Sequence, residues 1–222
     1  MRATSAHIVT RKLETMDWQL DAAETRVLGA LLEKEITTPD YYPLSVNALV
    51  NACNQKSNRE PVVSYDEDTV EEALQNLRTK GLSMRVTGDG RVAKHEQRFT
   101  EKFNLGRREA ALLCVLMLRG PQTVGELRGR SERLHNFDDL ESVETTLSHL
   151  AQMEYVKKLP KRAGFKEQRW AHLLAGDVEE VGEEAAPPAS ERGQNDRDRI
   201  AKLEADFAAL RQEFEEFRRR FE

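Results

Sequence analysis

Apolar residues recur along this chain at helical spacing, and they do so twice in the same order. Leu20, Val27, Leu28, Leu31 and Leu32 mark a first amphipathic helix, and Leu112, Leu113, Leu116 and Met117 a counterpart further on. Asp21 and Glu24 have capping-box spacing at the start of the earlier helix, and Glu109 stands early in the later one. Next, Pro43-Leu44-Ser45-Val46-Asn47-Ala48-Leu49 and Pro121-Gln122-Thr123-Val124-Gly125-Glu126-Leu127 share the pattern P-x-[ST]-V-x-x-L. Its hydroxyl accepts a hydrogen bond from an orphan N–H at the start of a short second helix, and Glu126 completes a box in the later copy. Third, Val70, Leu74 and Leu77 match Val143, Leu147 and Leu150, with Ser64 and Glu67 expected to cap the earlier helix and Gly81 to end it.

Each third helix then runs into a hairpin. The first is expected over residues 82–86 and 91–99 with a turn at Thr87-Gly88-Asp89-Gly90, the second over 155–159 and 165–173 with a turn around Arg162-Ala163-Gly164. Two successive runs of helix, helix, helix and hairpin predict a mainly α protein with small β-hairpins (α+β), built from two tandem winged-helix, helix-turn-helix-like domains. The expected divisions are a disordered extension over 1–16, winged-helix domains over 17–104 and 105–176, a flexible linker over 177–198 and a coiled-coil helix over 199–222.

The linker follows from composition, rich in Glu, Ala and Gly around Pro187-Pro188. In the last segment Ile200, Leu203, Phe207, Leu210, Phe214, Phe217 and Phe221 alternate at spacings of 3 and 4, an unbroken a/d seam. An isolated helix of about 22 residues is marginal in water, so the seam needs a partner surface. A homo-oligomer is the first expectation; folding back onto the same chain, or capture of a different protein, are the alternatives.

The runs Leu31-Leu32-Glu33-Lys34, Thr37-Thr38-Pro39, Tyr42-Pro43-Leu44-Ser45-Val46-Asn47 and Ala52-Cys53-Asn54-Gln55-Lys56-Ser57-Asn58-Arg59-Glu60-Pro61-Val62 closely resemble the YceH family of bacterial proteins. Later, Leu118-Arg119-Gly120, Gln122-Thr123, Gly125-Glu126-Leu127-Arg128 and Val143-Glu144 agree as well, so the resemblance covers about residues 20–176. It implies a tandem winged-helix fold, assigns no activity, and suggests Met16 as the native start.

Charge alters the functional picture. The net charge is −5, yet residues 105–175 carry 12 Lys+Arg against 9 Asp+Glu, whereas 20–104 carry 11 against 14 and 176–222 carry 8 against 14. The third helices begin acidic, at Asp66-Glu67-Asp68 with Glu71 and Glu72, and at Asp138-Asp139-Leu140-Glu141 with Glu144. First-turn acids favour a helix through its dipole, but they oppose entry into a phosphate-lined groove. The hairpins are basic: Arg85, Arg91, Lys94, His95 and Arg98 on the first, Lys157, Lys158, Lys161, Arg162, Lys166 and Arg169 on the second. Such hairpins can neutralise phosphates without reading bases, although Lys and Arg also serve solubility and edge protection on exposed strands. The polar loop with Asn54, Gln55, Lys56, Asn58 and Arg59 either holds a phosphate or peptide, or braces two helices from within.

These features point to a non-enzymatic, DNA-associated regulator that contacts phosphates through its wings. The alternative is a protein-protein interaction adaptor. The partners expected are therefore double-stranded DNA, another protein, and further copies of this chain. No cofactor is expected. The five histidines, His7, His95, His135, His149 and His172, are scattered, and no metal, nucleophile or phosphate-cradle motif is present. Cys53 and Cys114 fit no metal or disulfide spacing and read as reduced, buried thiols. No apolar run approaches membrane-span length and the N-terminus lacks an apolar signal core, so the expected location is the cytoplasm.

Overall fold

The computed structural model describes residues 19–86, 92–161 and 167–177, which fall within one compact unit. It is a mixed α/β structure, mostly helical with two small antiparallel hairpins. In chain order the elements are α1 (Ala22–Thr37), a single 3-10 turn (Pro39–Tyr41), α2 (Val46–Cys53), α3 (Glu67–Thr79), β1 (Ser83–Val86), β2 (Lys94–Gln97) and α4 (Phe99–Lys102). Then follow α5 (Arg107–Arg119), α6 (Val124–Ser131), α7 (Leu140–Gln152), β3 (Val156–Lys158) and β4 (Trp170–His172).

The repeat is close in length. α2 and α6 both have 8 residues, and α3 and α7 both have 13. Its matched apolar positions Val70, Leu74, Leu77 and Val143, Leu147, Leu150 are all buried. The expected caps form at Asp21 with Glu24, at Ser45, and at Thr123 with Glu126. Gly81, at φ +68°, ends α3 in the left-handed conformation that suits glycine.

Three expectations are corrected. The cap of α3 is Asp66 and not Ser64 with Glu67: Tyr65 exchanges both backbone hydrogen bonds with the Asn54 side chain, at 2.8 Å each, which holds the chain extended past Ser64. Asp139 caps α7 in the same way. Leu20 lies ahead of α1, buried, and its N–H donates to Leu174 O at 2.8 Å. The described strands are shorter than expected, and Phe99 opens the unforeseen helix α4 where a strand end was expected.

Each hairpin gains an antiparallel bridge from the residue just before the cap of the second helix. Leu44 and His95 exchange bonds of 3.1 and 2.7 Å, and Gln122 and Trp170 bonds of 3.0 and 2.7 Å. The hairpin is thereby tied to the helical layer, and in the first half Gln97 adds to this by donating from its side-chain amide to Glu35 of α1 and from its backbone N–H to the Tyr42 hydroxyl oxygen.

The two halves meet along α1 and α5. Every residue from Glu24 to Glu33 and from Ala110 to Leu118 is buried, as befits helices covered on all sides. Gly29 allows this approach: a Cβ there would stand 2.9 Å from Leu118 Cδ2 and 3.2 Å from Met117 Cβ. The Cys114 thiol lies 3.5 Å from Gly29 O in the same seam, and both cysteines are free and buried. Among the described residues no helix is long and apolar enough to cross a membrane.

Candidate functional site

Two features bear on function: the outward charges of the hairpins, and the loop between α2 and α3.

In the first hairpin Arg85 faces His95 and Val86 faces Lys94 across the ladder. Arg85 and Lys94 are exposed and form no ion pair among the described residues. Arg98 does not share that freedom, because Glu96 at 3.3 Å and Glu101 at 2.9 Å hold its guanidinium. Burial first, then the Arg85 and Arg78 charges, keep His95 below its ordinary pKa. In the second hairpin Lys158 and Lys161 are exposed, Lys158 lying 5.8 Å above the Trp170 ring. Lys157 is paired with Asp177, and Arg169 is half-buried. Arg91, Arg162 and Lys166 lie outside the described residues, as do the seam residues from Ile200 to Phe221.

His172, on β4 opposite Val156, is held down to about 4 by burial. The fold therefore favours its neutral form, while the unfolded chain takes up the proton near pH 6.5. Stability is expected to fall by about 2 kcal/mol as the pH drops from about 6.5 toward about 4.5, and to level off below the folded value. Urea unfolding across that range checks this, since His172→Phe should remove that part of the pH dependence.

The loop between the second and third helices runs over residues 54–66 in the first half but only 132–139 in the second. Its extra length is spent on carbonyls at helix ends, which have no partner inside their own helix. Arg59 donates to Ala52 O in the last turn of α2 at 2.8 Å, and Arg26 of α1 donates to Cys53 O at 3.1 Å. Glu60 N–H reaches Leu118 O at the end of α5 at 2.9 Å, and Arg119 donates to the Asn58 side chain. Arg59 also grips Glu33 of α1 two-pronged, at 2.6 and 3.2 Å, with its side chain fully buried. Positive charge at a helix C-terminus is favoured by the dipole as well as by these bonds.

Of the loop residues singled out in the sequence, Asn54, Gln55, Asn58 and Arg59 thus bond within the molecule, and Lys56 stays exposed. Burial, and then the nearby Arg59 charge, lower the pKa of Arg26, and burial pushes the Cys53 thiol up to about 12. A thiol so suppressed is a poor nucleophile.

Sequence reasoning gave no role to Arg26, Glu33 and Arg119, nor to the arginines of the α6 region, Arg128, Arg130 and Arg133. The signal was present in part: α6 and the residues after it place these three within six positions. Arg128 donates to Phe137 O and Asp138 O of the loop that follows α6, while Arg130 pairs with Glu126 at 3.2 Å. Among the described residues no group of His, Cys, Asp and Glu could hold a metal ion.

Comparison with known proteins shows the family. The family model described as "Protein of unknown function, DUF480" matches residues 20–165. A UPF0502 protein of Solibacter usitatus is 73% identical over 207 residues, covering 93% of this chain and all of the relative. UPF0502 proteins of Citrifermentans bemidjiense and Pelobacter propionicus are 51% and 50% identical, covering 87% and 92% of this chain and 90% and 95% of theirs. The matched span includes the bracing loop, both copies of the helical repeat and the first hairpin, and the chain belongs to the DUF480/UPF0502 family of uncharacterised bacterial proteins.

Proposed function

We propose that the two halves are winged-helix domains and that the protein is a non-enzymatic, DNA-associated regulator that touches phosphates through its wings without reading base edges. The order of helices, with the hairpin bridged to the segment before the second helix, supports the winged-helix reading. The observation that carries the DNA reading is the contrast in exposed charge. Arg85, Lys94, Lys158 and Lys161 point outward with no carboxylate partner among the described residues, whereas the exposed positions that open α3 and α7 include Glu67, Asp68, Glu71, Glu72, Glu141 and Glu144. Phosphates favour the first set and are repelled by the second.

Fluorescence anisotropy of the full chain on random-sequence duplex DNA tests this. Each phosphate neutralised contributes about 0.9 to the slope of log affinity against log salt, so four wing contacts give a slope of about −3.6. Lys158→Glu with Lys161→Glu is expected to flatten the slope by about 2. Absence of binding at about 50 mM salt, or an unchanged slope, rejects the reading. The adaptor reading is favoured by a different observation: the acidic faces of α3 and α7, together with Leu140, 48% exposed at the start of α7, offer a surface suited to a basic, partly apolar protein partner.

Self-association through the C-terminal seam completes the proposal. Light scattering of the full chain is expected to give a multiple of the 25.4 kDa monomer mass, and a chain ending at Gly176 the monomer alone. The same number of subunits in both would rule the seam out as the assembling device.

A further inference from the structure

A cavity of about 230 Å³ opens where the C-terminal half of α1, the bracing loop, α5 and α6 converge. Its apolar side is made by Val115, Leu118 and Leu134, with the Cys114 thiol among them. That thiol is pushed up by burial, which disfavours the reactive thiolate. Three arginines, Arg119, Arg130 and Arg133, line it as well. The cavity carboxylate Glu33 is already neutralised by Arg59, and Arg130 is matched by Glu126. Arg119 is bonded to the neutral Asn58 amide, and Arg133 has no ion pair among the described residues, so with only Glu132 left to oppose them the rim carries an excess of positive charge. Burial first, and then the Arg130 and Arg59 charges, lower the pKa of Arg119.

We propose that this cavity binds a small organic anion, an apolar carboxylate about the size of benzoate, with its charge on Arg119, Arg130 and Arg133 and its hydrocarbon against Val115, Leu118 and Leu134. The size fits, since an apolar cavity of about 150 Å³ holds benzene and this one leaves room for one charged substituent. Guanidiniums match carboxylates through paired N–H donors. A ligand there would touch both halves at once, because Asn58 and Glu33 belong to the first and α5 and α6 to the second. The inference does not depend on DNA binding.

Gly129 of α6 lines the cavity, and a Cβ added there meets nothing within 4 Å. Gly129→Leu should therefore fill the space without harming the fold, the more so because leucine favours a helix over glycine. Isothermal titration of the full chain with benzoate is expected to give saturable binding with a Kd of about 1 mM or tighter. Benzyl alcohol, which keeps the ring without the charge, and inorganic phosphate, which keeps charge without the ring, should each bind at least about tenfold more weakly. Gly129→Leu should abolish benzoate binding, and Arg133→Gln should weaken it about three- to tenfold with the thermal midpoint unchanged.

Lack of saturation up to about 20 mM benzoate overturns the proposal, as does undiminished binding in Gly129→Leu. Phosphate binding as tightly as benzoate overturns the organic part of it. Should Gly129→Leu melt early, Arg133→Gln decides alone, and an unaltered Kd in that variant counts against the site.

Discussion

Arg59→Ala is expected to destabilise the fold by about 3–5 kcal/mol, the range for removing one partner of a buried ion pair. The substitution leaves the Glu33 carboxylate, 9% exposed, with Lys34 at 3.6 Å as its remaining ion-pair partner among the described residues. It also strips the guanidinium from Ala52 O at the end of α2, and the contacts of 3.1 Å to Gln55 and 2.9 Å to Asn58 O. Most of that cost comes from the stranded charge, because a well-formed buried pair and its apolar replacement differ little in energy. Glu33→Gln with Arg59→Met should accordingly be less damaging than Arg59→Ala by itself, although the carbonyls that Arg59 served remain unfilled. Urea unfolding of wild type, Arg59→Ala and the double variant measures this. A loss below about 1 kcal/mol for Arg59→Ala would mean that the loop does not brace the helices as described.

Arg59 also shows what could and could not be read before the structure. The repeat was legible because packing requires an apolar side chain at fixed helical intervals, and Val70, Leu74 and Leu77 recur as Val143, Leu147 and Leu150. Capping residues were legible where side chain and helix start lie within three positions, as at Asp21 and Thr123. The buried charges were not. Arg26 and Glu33 stand in α1 where any periodicity argument assigns polar residues to water, and only the partners 26 to 35 positions away reverse that. Helix α4 spans four residues and so carries no periodicity at all. On the candidate surface, basic residue type was readable but not availability: Arg85 and Lys158 are exposed, while Arg98 and Lys157 are bound to neighbouring carboxylates.

Phe99→Ala should cost about 3–5 kcal/mol and loosen both halves together. Phe99 is fully buried at the start of α4, and its ring meets Phe103 at 5.3 Å and Tyr155 at 6.5 Å, both edge-on. Phe103 and Tyr155 close the triangle at 5.5 Å. Phe99 and Phe103 follow directly on the first hairpin, whereas Tyr155 precedes the second, so the cluster joins one half to the other. Edge-to-face pairs add about 0.5–1.5 kcal/mol each beyond the area they bury, and the truncation removes two of them. Further ties also join the halves: α1 against α5, Glu60 to Leu118, Arg119 to Asn58, and Leu20 to Leu174. With so many contacts shared, neither half can open without stripping apolar surface from the other, and the unfolding of one is coupled to the unfolding of both. Native-state amide exchange is therefore expected to show the cores of α3 and α7 losing protection by the same amount in Phe99→Ala, at about the global unfolding free energy. Protection lost in α3 alone would mean that the halves are independent domains and that the aromatic cluster belongs to the first one only.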